Sequence, residues 1–383
     1  MSKEAQAQAQ GAGSTRSKGA IAGTGPSVHV DAPLSDYSLK VVQDDDKFKA
    51  RKIVSNFNSA QRSNLYYFYE PAYFIVNQVT ARAEGTEAAM AKYGVKRKNY
   101  STTVYGLKQP VTDEVVANAD KPVDRVYEDA VKFITRQFLL NKEKRLAEAL
   151  LKAGVWSTDL SGQAGALSDP SLVIENDNFQ QFSQATSRPL DVLDAAMERV
   201  QLVSGMRPNT LVMPRSVFTA LKRNSTIKTV KLYTNSNSGS DSAILDTIAT
   251  HLDIPADRVF VLDVVTPATN ATIDGATYAI TTDTEGQPSG TEDDDSTRLV
   301  NEFIGGNGIL LMHVDMESNG MYQATAAVCC QWTGLYPDGG DLGNTMMKRY
   351  REERLSSEMI EGRTAFSYHI TAPSLGAYLD KVI

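Results

Sequence analysis

Apolar side chains at Val126, Ala130, Val131, Phe133, Ile134, Phe138, Leu146, Ala149 and Leu150 recur at three- and four-residue steps, the period of one helix face. They predict a single helix over about 122–153, with Pro122 in its first turn and Gly154 as its stop. Glu128/Lys132, Lys144/Glu148 and Glu148/Lys152 are spaced for ion pairs on its outer surface. At 1.5 Å per residue it spans roughly 45 Å, longer than most globular helices, and it reads as a structural spine. From Asp191 the pattern alternates. A capped helix with Leu193, Ala196, Met197 and Val200 on one face ends at Gly205 and Pro208, and Thr210 to Met213 make a short apolar strand. Pro214 opens a helix with Val217, Phe218 and Leu221; a polar loop over 234–242, a helix through Ile244, Leu245, Ile248 and Leu252, and a strand over 259–262 follow. Strand-like runs recur at 277–282, 308–314 and 322–332, with the polar loop 283–298 between the first two. Two more, over 349–360 and 363–371, are expected to join at Glu361-Gly362, before a turn at 372–374 and a last apolar stretch through Tyr378. Helices packed on a mixed sheet give an α+β fold class.

Two segments lack either period. Residues 1–35, rich in Ala, Gln, Gly and Ser, offer little apolar surface to offset ordering entropy and read as a tail. Ordered packing starts with the aromatic residues between Tyr37 and Tyr73. Over residues 80–112, Arg82, Glu84, Lys92, Lys96, Arg97 and Lys98 alternate with Tyr100, Thr102, Val104 and Tyr105, and Gly85, Gly94 and Gly106 punctuate the run. Thr, Tyr and Val favour extended backbone, so a long two-stranded ribbon is predicted. Such a ribbon is marginal alone in water and needs a surface to lie on. Its own domain and a second chain are both open at this point.

Composition narrows the chemistry. With 39 basic and 46 acidic residues the formal net charge is −7, against a protein whose main task is neutralising phosphates. The two cysteines, Cys329 and Cys330, are adjacent on an apolar strand; they point to opposite faces and are expected as buried core in a reducing compartment. The histidines His29, His251, His313 and His369 are too scattered for a zinc site. Asp44 to Asp46 and Glu292 to Asp295 lack the spaced ligands of a calcium loop and read as solvated turns. No apolar run is long enough for a membrane span and no signal-peptide core is seen, so a cytosolic chain is expected. Gly305-Gly-Asn-Gly308 lies between strands rather than before a helix and is expected as a hairpin turn; no nucleotide loop or GxSxG elbow occurs. No catalytic residue, cofactor or metal is assigned.

Four stretches resemble a known family. Residues 205–221 (GMRPNTLVMPRSVFTAL) are similar to a helix-end, strand and helix-start segment of the major capsid proteins of tailed bacteriophages. Residues 133–147 (FITRQFLLNKEKRLA), continuing to Gly154-Val-Trp156, resemble the long helix of that family. Residues 84–87 (EGTE) with 93–95 (YGV), and 110–120 ending in DEVVANAD, resemble its extended loop and return. The likeness runs in order over roughly 37–265 and loosely to the C-terminus.

The resemblance implies the Hong Kong ninety-seven type capsid fold. It divides the chain into a disordered tail and N-terminal arm (1–70), an extended β-ribbon loop (71–115), a peripheral domain with the spine helix (116–190), an axial α/β domain (191–335) and closing strands of the peripheral domain (336–383). It implies a non-enzymatic coat protein that self-assembles into pentamers and hexamers of an icosahedral phage head around double-stranded DNA, held without sequence-specific binding. Made in the host cytoplasm and located in the virion capsid, such a subunit would partner itself, a separate scaffolding protein, a portal and decoration proteins, with no membrane. Arg82, Glu84, Lys96, Arg97 and Lys98 in the ribbon are then the candidate intersubunit contacts, and the resemblance favours a neighbouring subunit as the ribbon's support. An encapsulin-like compartment and an unrecognised α/β enzyme are the alternatives.

Overall fold

The computed structural model describes residues 47–69, 75–82, 84–91, 94–118, 123–169, 171–233, 241–267, 270–273, 276–279, 301–316, 324–335 and 345–383. The expected tail, Asp44 to Asp46, Pro122, most of the 234–242 loop and the acidic loop 283–298 lie outside these residues.

The N-terminal part runs α1 (Ala50–Ile53), β1 (Ser55–Ser59), β2 (Ser63–Tyr69), β3 (Val95–Ser101), β4 (Thr103–Thr112), α2 (Asp113–Ala117) and α3 (Val123–Leu150). Then come β5 (Thr158–Gln163), β6 (Asn178–Gln180), α4 (Pro189–Ser204), β7 (Thr210–Pro214), α5 (Arg215–Arg223), α6 (Ser225–Tyr233), α7 (Asp241–Leu252) and β8 (Val259–Leu262). The remainder holds β9 (Val265–Pro267), β10 (Asn270–Ile273), β11 (Ala276–Ala279), β12 (Asn301–Phe303), β13 (Ile309–Met312), β14 (Ala327–Trp332), β15 (Thr345–Glu352), β16 (Ser357–Ile370) and β17 (Gly376–Asp380).

One sheet has six strands in the order β6-β5-β17-β13-β7-β8. Three neighbouring strands, ILLM (β13), TLVMP (β7) and the edge strand VFVL (β8), are apolar at nearly every position because both faces are covered. Leu211, Met213, Val259, Val261, Ile309 and Leu311 face a core with Leu193 and Met197 of α4, Phe218 of α5 and Ile248 of α7. Val212, Phe260, Leu262, Leu310 and Met312 face a second core, which holds Leu146 and Leu150 of α3, Ile53 of α1 and Trp156. The other large sheet follows β1-β14-β16-β15, with β4 on the opposite edge of β16. The N-terminal half of α3 lies on it through Tyr127, Val131, Ile134 and Phe138, against Val111, Met347 and Ile360. The C-terminal half, with Phe366 and Cys329 opposite, enters the core shared with the six-stranded sheet. The spine helix therefore joins two sheets instead of resting on one.

Several expectations need correction. The join expected at Glu361-Gly362 is no turn: β16 runs straight through it, and the chain reverses at residues 353–356, where Ser356 takes a left-handed conformation (φ 43°). Gly362 serves close approach instead. A Cβ there would lie 2.4 Å from Phe138 and 2.7 Å from Ile134, so the missing side chain is what lets α3 reach the sheet. Residues 305–308 turn between β12 and β13, which belong to different sheets, so this is a crossing between layers and not a hairpin. The helix expected from Asp191 starts at Pro189, and Arg188 at its N-cap position makes no side-chain cap. Gly205 ends it in the left-handed conformation (φ 76°), as expected. Cys329 and Cys330 are buried and unbridged, and burial pushes their thiols up to about 11 and about 12, far from a reactive thiolate.

Candidate interaction surface

The ribbon is built differently from the expectation. Its ladder pairs β2 with β3 in antiparallel register, from Ser63 opposite Ser101 to Tyr69 opposite Val95. The aromatic run assigned to the arm thus supplies one strand, and β4, expected within the ribbon, instead joins the body by pairing with β16 over its whole length. Residues 77–82 and 84–91 carry no strand. The reason is local: Ala, Glu and Gly dominate residues 81–91, whereas LYYFY over 65–69 has the bulk that a half-buried pleated surface favours.

At its base the ribbon is locked to the body. The Tyr100 hydroxyl shares a buried hydrogen bond of 2.7 Å with Ser59 Oγ, and its ring meets Phe57 edge-on at 5.8 Å. Val328 and Cys330 complete this small core, with Tyr66 packed against it. The Thr102 backbone N–H and hydroxyl both donate to the Arg62 carbonyl, and Arg62 Nε donates to the Thr102 carbonyl at 3.2 Å, so the crossing from β3 to β4 is clamped. His369 of β16 lies beside Tyr100 at 6.3 Å between ring centres, and its Nε2 is buried with no hydrogen-bond partner. Burial lowers the pKa of its imidazole, against a backbone hydrogen bond at Ser101 that raises it.

This has a pH consequence with a definite sign. A histidine whose pKa is lowered in the folded chain binds fewer protons there than in the unfolded chain, so its contribution to stability is present above pH 6.5 and is lost as pH falls below that value. Acidification is expected to loosen the ribbon base. Amide exchange at Thr102, corrected for the intrinsic rate, will rise between pH 7.5 and pH 5 and will change less in a His369→Phe chain.

The five residues singled out in the sequence fall into two groups. Lys96, Arg97 and Lys98 stand on β3, where strand alternation puts Lys96 and Lys98 on one face and Arg97 on the other. Lys98 is half-buried; burial first, and then the charge of Lys96, lowers the pKa of its ammonium. Arg82 and Glu84 are exposed in the loop beyond the ladder, on either side of residue 83, followed by Gly85 with φ 78°. That loop also exposes large apolar side chains: Val79 is 85% and Met90 86% exposed, and Ile75 and Val76 are half or more exposed. An isolated chain gains nothing from showing these side chains to water. Among the described residues this surface has one basic strand, β3, and an exposed apolar loop beyond a base held by hydrogen bonds, with no converging acid, base or nucleophile. Among the described residues no cluster of His, Cys, Asp and Glu is arranged to hold a metal, and no helix is long and apolar enough to cross a membrane.

Sequence reasoning missed the base residues Ser59, Arg62 and His369, which meet only through tertiary structure. It also missed Glu143, which is fully buried on α3. The signal was present: Lys142 and Glu143 fall where the apolar stripe of the helix should continue from Phe138 and Leu139 to Leu146 and Ala147.

No protein-family description and no curated protein matches the chain. Among solved structures it is similar to a phage-related protein from Bordetella bronchiseptica RB50, with a TM-score of 0.60 and 14% identity over 93% of this chain and 99% of that one. Lower similarities include the mature capsid of bacteriophage PhiM1 (TM-score 0.48, 10% identity, 87% of each chain) and the holo-SrpI encapsulin complex from Synechococcus elongatus (TM-score 0.43, 13% identity, 94% and 93%). The mixed α+β fold of this chain is thus one found, nearly end to end, in a phage-related protein.

Proposed function

We propose that this chain is a shell subunit, the major capsid protein of a tailed phage. The likeness of fold along 93% of the chain to a phage-related protein carries the proposal, and the ribbon supports it: an element rigid at its base and apolar at its tip suits contact with another copy. Copies assemble as pentamers and hexamers into an icosahedral head around double-stranded DNA, in the virion. Closed symmetry repeats each modest contact many times, so single interfaces stay weak enough for misplaced subunits to leave. A scaffolding protein, a portal and decoration proteins are the further partners. The net charge of −7 suits a wall that confines DNA without gripping it. No step of this role requires catalysis.

Electron microscopy of the purified full-length protein tests the reading. Closed particles many times wider than the subunit are expected, and a stable monomer under all assembly conditions ends it. Particles that form only around an enzyme cargo would place the chain with encapsulin-like compartments. In the ribbon, Lys96→Glu with Arg97→Glu is expected to abolish closed particles while the isolated chain still folds, as checked by its cooperative thermal unfolding.

A further inference from the structure

Glu143 lies in the C-terminal half of α3, 0% exposed, at the junction of the spine, the five-stranded sheet and the segment that leads into β1. Its Oε1 accepts hydrogen bonds from the backbone N–H groups of Lys49 and Ala50, the latter at 2.7 Å, and so caps the start of α1 from outside. Its Oε2 is buried and accepts no hydrogen bond. An ionised carboxylate in such a seat has half its oxygens unsatisfied, which is costly away from water.

The segment it holds is short and precedes the first paired strand. Helix α1 is four residues long; the Lys52 N–H donates to the Lys49 carbonyl, and its bonds to other elements include those to Glu143 and one from Arg258 Nη1 to the Lys52 carbonyl. Ala50, Ile53 and Val54 add apolar contact, and strand pairing begins only at Ser55, opposite Val328. We propose that residues 49–53 form a clasp that opens from α3 while both sheets stay intact, with Glu143 as its keeper, and that a proton on this carboxyl group holds the clasp shut.

The sign follows from the surroundings. Burial pushes the Glu143 carboxyl up to about 7, against the N–H groups of Ala50 and Lys49 and the charge of Lys49, which pull it down. The other titratable groups around it are Arg51 on α1, Lys142 on α3, Tyr368 on β16, Cys329 on β14 and Tyr105 on β4. Burial brings Lys142 down to about 8 and holds Cys329 and Tyr368 protonated, so below pH 7.5 Glu143 is the member of this group that titrates. A carboxyl that binds its proton more tightly in the closed state than in the open one favours closure at low pH, and loses that advantage as pH rises through about 7. Protonated, Glu143 still accepts both N–H bonds through Oε1 and no longer buries a charge. The clasp and the ribbon base therefore answer acid in opposite directions.

Amide exchange on the full, unassembled chain tests this, read at Lys49, Ala50 and Lys52 and corrected for the intrinsic rate. Between pH 5.5 and pH 7.5, protection is expected to fall on the order of tenfold in the native chain, since the open state titrates near 4.5 and the closed one near 7. In Glu143→Gln the change should vanish. Ile53→Ala, which loosens the apolar side of the clasp, should lower protection at both pH values and keep the slope. The proposal is overturned by a pH-independent native clasp, by a slope that survives in Glu143→Gln, or by clasp amides that exchange only as slowly as those of β13, which would mean that they open with the whole fold. If Glu143→Gln does not fold, the native and Ile53→Ala profiles decide the question.

Discussion

Trp156→Ala is expected to lower the unfolding free energy by about 3–5 kcal/mol, the usual cost of removing a large buried aromatic. Trp156 is 5% exposed, and it packs in the core shared by α3 and both sheets. The indole also caps the spine: Nε1 donates to the Leu150 carbonyl at 2.8 Å, supplying a partner to a helix end that has none of its own. On its far side a Cβ at Gly376 would lie 2.2 Å from the ring, so β17 is shaped around it. Trp156→Phe separates the two contributions. It keeps most of the apolar contact but leaves the carbonyl unpaired, and should cost about 1–3 kcal/mol. Denaturant titrations of the two variants check the ranking; equal losses would mean that the hydrogen bond, and not the packing, dominates.

The second large effect is expected at Gly362. Adding one methyl group there drives it into Phe138 and Ile134, both buried on α3, with Met347 Sδ 3.1 Å away on the paired strand. In a strand, alanine would ordinarily be no worse than glycine, so any loss measures the clash. Overpacking of this kind costs about 1–3 kcal/mol, and Gly362→Ala is expected at the upper end because the helix touches the sheet along its whole length and cannot tilt away locally. Phe138→Leu in the same chain should recover part of the loss. A double-mutant cycle with no coupling between the two sites would remove this explanation.

These positions show where sequence reading succeeds and stops. The spine helix was legible because its stripe is long and regular, and β7, β8 and β13 because continuous apolar runs of four or five residues mark strands covered on both faces. Helix α6 was not assigned: its STIKTVKLY carries four β-branched residues, and it starts where Asn224, buried and bonded to Phe182 and Ser187, accepts the Thr226 N–H. Gly362 looked like a turn because a glycine beside a charged residue is usually one; its actual role depends on a helix more than two hundred residues away in the chain. The ribbon was foreseen as an extended element, but its pairing partner was not, since register between distant strands is set by the turn and the surface beneath them. The base of the ribbon and the seat of Glu143 are made by contacts between remote segments, and no local pattern encodes those.

The path from the ribbon into the body has a mechanical side. From the clamp at Thr102 the chain enters β4, whose residues pair one by one with β16 from Thr103 opposite Phe366 to Thr112 opposite Ser357. Tension along β4 meets this ladder in shear, so its hydrogen bonds bear the load together, whereas a peeling force would break them in turn. On its other edge β16 passes the force to β15 and β14. A subunit tugged by its ribbon should therefore yield in the β2–β3 hairpin first and keep its body whole.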